Sequence, residues 1–429
     1  MKKSFALFLV CTLLFLTGCN TQPSLDTNAD DSSQGGNESN PVNWEEALKD
    51  QIVLNKPNAT TLIDLPSRIV FEDYLSEINQ TYTCYYSKAD DKVYIYCFDP
   101  LCSHDKEECL AKPGVYLEDW EFSSTYFING RFYYTTGYGR IYSFSFDGSD
   151  KKLEYDAGYD LEAMMGNQGY YTNVWSVPSL VYGPYIYIVS KAEENGNPHT
   201  LRFHIETKEM EDLTEKTGNF ISPLFFYNGM IYGFGKDRAD VVTDLDLNTA
   251  KTADVPLYIR HSVGNLLIGE KYSEELVDQY GLPLVLGIEI YDMKTKESRV
   301  ISCETLGMNN FVIASVTDEY IYFYRSEIYN LGTVIMDMGG KDKEVKVQKM
   351  NDGKLYRMNL DGTNLVCVYD NFDYELNRNV IIYEDRVVMQ GQYIKIEDGK
   401  KKVWGGPIQV ATINPDGTFG EFAEVEVLQ

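Results

Sequence analysis

The sequence is poor in histidine, with four among 429 residues, and poor in positive charge, with 38 Lys and Arg against 65 Asp and Glu. So few imidazoles leave little room for histidine-based metal or acid/base chemistry. A formal charge of −27 excludes a nucleic-acid partner, because a chain this acidic repels a row of phosphates. No segment holds a 3.6-residue apolar period over three turns, which excludes a helical domain. The short catalytic signatures are missing too: no Gly-x-Ser-x-Gly elbow, no His-Glu-x-x-His helix and no Gly-Lys-Ser/Thr phosphate loop. Gly137-Tyr138-Gly139 lacks the third glycine and the helix of a dinucleotide fingerprint. Asp244-Leu245-Asp246 has only two acidic positions of a calcium loop and no glycine after them. What is present, 44% hydrophobic and 14% aromatic residues, can bury a large core.

The longest apolar run is Phe5 to Leu16, behind the basic Met1-Lys2-Lys3. As a helix it reaches about 18 Å, short of the roughly 30 Å of a bilayer core, so it reads as a signal segment rather than a permanent span. It ends in Leu16-Thr17-Gly18-Cys19, which resembles a bacterial lipobox. That resemblance implies removal of residues 1–18 and fatty acylation (palmitate-type chains) of Cys19, giving a lipid-membrane anchor on the extracytoplasmic face. Losing Lys2 and Lys3 leaves 36 basic against 65 acidic residues, a net of −29. Residues 20–43 have only Leu25, Ala29 and Val42 as apolar members and no Lys or Arg, so with Cys19 they read as a disordered tether, residues 19–43. Extended, it would reach about 80 Å.

At Asn43-Trp44-Glu45-Glu46 an N-cap and acidic first turn predict two turns of helix to Val53, in a lead-in spanning 44–66. From residue 67 to 429 a pattern recurs. A turn pair precedes a strand rich in Ile, Tyr and Phe, as in Asn129-Gly130, Gly183-Pro184, Asn228-Gly229, Asp318-Glu319 and Glu384-Asp385, with a weaker copy at Gly264-Asn265. A second strand ends in Asp147-Gly148, Asp361-Gly362 or Asp416-Gly417. Asn-Gly and Asp-Gly between β-formers are hairpin signals, since both residues accept positive φ. The copies recur about every 51 residues, the period of a repeated all-β unit. Small twisted sheets packed radially bury both faces, so the expected fold is all-β, a β-propeller. Seven blades fit if Ser67–Leu110 is the first and Arg378–Val427 the last; six is the alternative. The 34 Tyr serve this architecture with rings between blades and hydroxyls at the rim. Residues 327–352 read as an exposed hairpin insertion.

Lipobox, polar tether, Asp-Gly-Thr-Asn turns at 361–364 and the segment Asp99-Pro100-Leu101-Cys102-Ser103-His104-Asp105-Lys106-Glu107-Glu108-Cys109 together resemble uncharacterised propeller lipoproteins of Gram-positive, Clostridia-type bacteria. The turns are also similar to Tol-type envelope propeller repeats. The resemblance implies architecture and location; it brings no activity and no catalytic residue.

Six cysteines remain after Cys11 and Cys19. Cys84 and Cys97 flank a hairpin turning near Ala89-Asp90-Asp91, and counting from that turn could set them opposite each other; Cys102 and Cys109 could close a loop around His104. The alternative to these disulfides is a structural zinc held by Cys97, Cys102, His104 and Cys109. No other cofactor is expected. Cys303 and Cys367 lie in strand-like runs and are expected to be buried small hydrophobes. His199, His204 and His261 read as ordinary strand or surface residues. Tyr159, Tyr170, Tyr171 and Trp175, among Gly, Asn and Asp, are the candidate ligand-binding aromatics. The reading is a monomeric, non-catalytic binding or scaffolding propeller for an envelope glycan, peptide or protein. The alternatives are a polysaccharide hydrolase or lyase using paired carboxylates, and an envelope sensor or assembly factor.

Overall fold

The computed structural model describes residues 44–54, 62–64, 67–75, 80–97, 102–103, 124–128, 131–135, 139–145, 150, 152–158, 175–190, 198–256, 261–277, 283–308, 310–325, 329–337, 342–349, 353–370, 380–397, 400–425 and 427–428. Antiparallel strands form seven sheets, each wound from the centre outward, with a separate two-stranded hairpin. Blade 1 contains Leu62–Asp64, Arg68–Leu75, Gln80–Ser87 and Lys92–Ile95, and blade 2 contains Ser124–Ile128, Arg131–Thr135, Arg140–Ser145 and Lys152–Asp156. Blade 3 follows with Trp175–Tyr182, Tyr185–Ser190, His199–His204 and Met210–Asp212. Blade 4 has Ser222–Tyr227, Met230–Phe234, Asp240–Asp244 and Lys251–Thr252. Blade 5 has His261–Val263, Leu266–Val277, Pro283–Asp292 and Glu297–Ser302. Blade 6 has Phe311–Val316, Tyr320–Arg325, Leu355–Asn359 and Val366–Tyr369. Blade 7 closes with Val380–Tyr383, Arg386–Glu397, Lys400–Thr412 and Ala423–Glu424. The first strands of blades 2, 3 and 4 touch in succession, as do those of blades 5, 6 and 7, and Ile52–Leu54 touches the first strands of both blade 4 and blade 5, as expected where sheets converge on an axis. The molecule is a seven-bladed β-propeller.

Both faces of each blade are buried, which explains strands that read as continuous apolar runs. In blade 5, Leu267 packs towards blade 4 with Phe225 and Tyr232, whereas the next residue, Ile268, packs towards blade 6 with Phe323 and Met358. Phe225 and Phe226 divide in the same way between blades 5 and 3, and Tyr322 and Phe323 between blades 7 and 5. The ring closes where Ile69, Tyr86 and Val93 of blade 1 meet Tyr383, Val388 and Ile408 of blade 7. There, Val427–Leu428 adds a parallel edge strand to Val93–Tyr94.

Among the described residues, the turn pairs Gly183-Pro184, Asn228-Gly229, Gly264-Asn265, Asp318-Glu319 and Glu384-Asp385 are the first-to-second-strand turns, and Asp361-Gly362 and Asp416-Gly417 lie between third and fourth strands. Asn129-Gly130 and Asp147-Gly148 lie outside the described residues. In five blades the residue after the third strand donates its backbone N–H to the carbonyl just before the second. These bonds are Lys88 to Ser67 (3.0 Å), Ile205 to Pro184 (2.9 Å), Met293 to Asn265 (2.9 Å), Leu360 to Glu319 (3.1 Å) and Ile413 to Asp385 (2.8 Å). The two turn types therefore lie together on one face of the ring. Asn228 and Gly229, at φ 47° and 71°, make the two-residue turn that lets Tyr227 pair with Met230.

The structure differs from the expected lead-in. The helix is a single turn, Trp44–Ala47, and Ile52–Leu54 is a strand lying antiparallel to Ser222–Tyr227 of blade 4. That edge pairing gives the backbone of Ile52–Leu54 and the inner edge of blade 4 hydrogen-bond partners in each other. Leu62–Asp64, also in the lead-in, is the first strand of blade 1. The insertion is the expected hairpin, Tyr329–Asp337 with Asp342–Lys349.

Candidate functional site

The N-terminal segment is built into the propeller on the face that carries the paired turns. Trp44 sits edge-on to Tyr182 and Tyr185, with ring centroids 5.3 and 6.4 Å apart, against the turn glycine Gly183. Asp50 N donates to Asn228 Oδ1 at 2.8 Å in the blade 4 turn, and Ile52 N donates to Gly264 O at 3.0 Å in the blade 5 turn. Beyond these the strand Ile52–Leu54 touches the innermost strands of blades 3, 4 and 5, so it occupies the axial side of the ring.

Beside this seat opens a recess of about 530 Å³ lined by Tyr185, Arg202, His204, Glu209, Met210 and Glu211. Arg202 sits in the third strand of blade 3, between the buried Leu201 and Phe203. Its guanidinium lies 4.7 Å from the Tyr185 ring centroid and donates to Asp246 Oδ1 at 2.7 Å and Glu211 Oε2 at 2.6 Å. Lys216 Nζ donates to the other Glu211 oxygen at 2.6 Å. Lys216 and then Arg202 hold the Glu211 carboxyl below its ordinary range. A carboxylate so stabilised is ionised at neutral pH and holds no proton to donate. His204 Nδ1 accepts from the backbone N–H of Glu206 and Thr207, both at 3.2 Å, the role that Asp244 and Asp292 play in the blades that follow. A second recess of about 460 Å³ lies between Cys367–Asp370 and Thr418–Glu421 at the outer edge of blades 6 and 7.

Of the cysteines, Cys84, Cys97 and Cys102 meet in the blade 1–blade 7 core. The ladder sets Cys84 opposite Ile95 rather than Cys97, because Ser87 pairs with Lys92 and the turn is centred between Ala89 and Asp90. Among the described residues no three His, Cys, Asp or Glu side chains are grouped to hold a metal ion. His104 and Cys109 lie outside the described residues, as do Leu16, Thr17, Gly18, Cys19, Tyr159, Tyr170 and Tyr171. Trp175 opens blade 3, paired with Ser190. Cys303 is half-buried at the head of a one-turn helix, with burial raising its thiol pKa. Cys367 is exposed, against expectation, because it lies on the outer strand of its blade, where one face meets solvent. His199 Nδ1 lies 2.6 Å from Asp212 Oδ2. Arg202 and its partners escaped sequence reasoning. The only local signal was a charged residue inside the apolar run Leu201–Phe203, and its partners come from two different blades.

No family model matches the chain, and no curated protein matches it in sequence. Solved structures that superpose on it include an oligogalacturonate lyase in complex with manganese, at 15% identity and a TM-score of 0.30, covering 54% of this chain and 60% of that one. An oligogalacturonate lyase from Vibrio parahaemolyticus matches at 8% identity and 0.44, covering 86% and 93%. The computationally designed protein Ika8 matches at 11% and 0.37, covering 83% and 96%. The chain thus spans less than two thirds of the first of these. No score among the three reaches 0.5, and none of them speaks to what this chain binds. The strand order and inter-blade cores define the class: a seven-bladed propeller with an N-terminal strand built onto its inner edge.

Proposed function

We propose that this chain is a lipid-anchored, extracytoplasmic recognition propeller that holds an envelope glycan, peptide or protein without turning it over. The lipobox-like Leu16–Cys19 and the polar stretch after it support the anchor. The observation that carries the reading is the polarity of the ring. The chain reaches the propeller on the face of the paired turns, through Trp44, Asp50 and Ile52. The longest hairpins, Leu266–Val277 with Pro283–Asp292 and Arg386–Glu397 with Lys400–Thr412, join second to third strands and so project from the opposite face. A tethered body with its extensions pointing away from the tether is arranged to present a surface. Fractionation tests the anchor: the wild-type chain should sediment with membranes, and Cys19→Ala should be shed into the medium still folded. Membrane retention of the variant overturns the anchor. Pull-down from envelope extracts without product release supports recognition; release of sugar products that stops on replacing a single carboxylate overturns it.

A further inference from the structure

We infer that the extended hairpin of blade 7, on the face away from the N-terminal segment, binds an anionic glycan. Its strands continue well past the body of the blade, where Val380 pairs with Met389, to the distal pair Glu397 and Lys400. The distal register sets Tyr393 opposite Trp404, Ile394 opposite Val403, Lys395 opposite Lys402, Ile396 opposite Lys401 and Glu397 opposite Lys400. These ten positions carry four lysines and one carboxylate, and with Asp398, between Glu397 and Lys400, the hairpin end counts four lysines against two carboxylates, a net positive charge in a chain whose formal charge is −27. The neighbouring inserted hairpin, Tyr329–Asp337 with Asp342–Lys349, packs beside Lys400–Thr412 and balances three lysines against three carboxylates, so it adds no net negative charge.

Two features of this register point to a ligand. Lys395 directly opposite Lys402 is a like-charge pair, which destabilises an antiparallel ladder and which a bound anion would relieve. Two residues further along, a position that shares the same face by the two-residue period, the ladder places Tyr393 opposite Trp404. Two aromatic positions next to two lysine positions on one face of the ladder suit a polymer that alternates flat sugar faces with acidic groups. The acidic body does not cancel this site. Lys395 lies six residues of strand beyond Met389, about 20 Å along the hairpin, whereas charges are screened over about 8 Å at physiological salt. A membrane surface is disfavoured because the proposed anchor enters from the other face.

This inference rests on the recognition reading and names its partner class. The test is affinity electrophoresis of the intact chain through gels holding alginate, poly(glycerol phosphate) or neutral dextran, with anionic vesicles and single-stranded DNA as further probes. Retardation is expected in alginate or poly(glycerol phosphate), the stronger of the two telling a uronate from a phosphate partner, and not in dextran. Lys395→Gln with Lys402→Gln should weaken binding about tenfold and lower the salt slope by roughly one to two, while raising the melting temperature slightly as the repulsion is lost. Trp404→Ala should weaken binding with the salt slope unchanged. Unaltered affinity in the lysine variant, retention by neither charged glycan, or tighter binding to vesicles or DNA each overturns the inference. Retention of dextran alone would also overturn it, yet leave the recognition reading standing; that reading falls only to turnover.

Discussion

Gly233 and Gly287 stand where no side chain fits. A Cβ would lie 2.1 Å from Ser222 O at the first and 2.2 Å from Ile301 O at the second. Both approaches are to backbone of the paired strand, which cannot step aside without breaking its ladder. Gly218 contrasts with them: its φ is 77°, but nothing lies within 4 Å of the added atom. Urea unfolding should therefore show Gly233→Ala and Gly287→Ala each losing about 1–3 kcal/mol, and Gly218→Ala about 1 kcal/mol. Equal losses at all three would mean that conformation, not space, sets the cost. The sequence showed glycine at all three positions but not which kind each was. A helix-capping glycine is legible from its neighbours, whereas a close approach depends on a bulge such as that between Pro223 and Phe225.

Among the elements, the N-terminal strand has the least local support and the most distant partners. Ile52–Leu54 pairs with Phe225–Tyr227, and Trp44 fills the space above Gly183, where a Cβ would come within 2.5 Å of its ring. Gly183→Ala should displace Trp44, since φ there is 56° and the indole is in the way. Trp44→Ala removes a half-buried aromatic and should cost about 2 kcal/mol, somewhat below the cost for a fully buried ring. Both variants should expose the Ala47–Gln51 bonds to limited proteolysis, with the blades still resistant; protection equal to wild type would show that the segment seats itself without the indole. The hairpins were legible because turn residues with positive φ announce themselves locally. Even their number was, because the 51-residue interval reflects one blade. Three residues that complete a sheet some 170 positions away announce nothing. For the same reason the Arg202 recess stayed hidden: Glu211 and Asp246 reach it from separate blades.

At the scale of the whole molecule, a ring is as stable as the seam that closes it, and this seam carries a polar latch beside its apolar core. Tyr86 donates to Asp91 Oδ1 at 2.5 Å and lies 2.8 Å from the Tyr383 hydroxyl, 297 residues away in sequence. Arg386 of blade 7 donates to Asp91 Oδ2 at 3.2 Å. The Tyr86 hydrogen bond, then Arg386, holds the Asp91 carboxyl below the usual carboxylate range. Burial pushes the Tyr383 hydroxyl up to about 12, and burial with the Asp91 hydrogen bond raises Tyr86 as well. The signs follow from linkage. A depressed acid contributes stability above its unfolded value of about 3.9, and loses it as the pH falls through the folded value. A raised phenol contributes below its unfolded value of about 10, and loses it as the pH rises towards the folded one. Seam stability should thus be level between about pH 5 and pH 9 and decline on both sides. Urea midpoints measured from pH 2 to 11 should show a shallower acid limb in Asp91→Asn, whose alkaline limb persists because burial is the main cause that raises Tyr86, and shallower limbs on both sides in Tyr86→Phe, which removes a raised phenol together with the hydrogen bond that depresses Asp91. Acid limbs of equal slope in Asp91→Asn and wild type would place the acid sensitivity elsewhere, in carboxylates such as Asp150 or Glu211 that also titrate low.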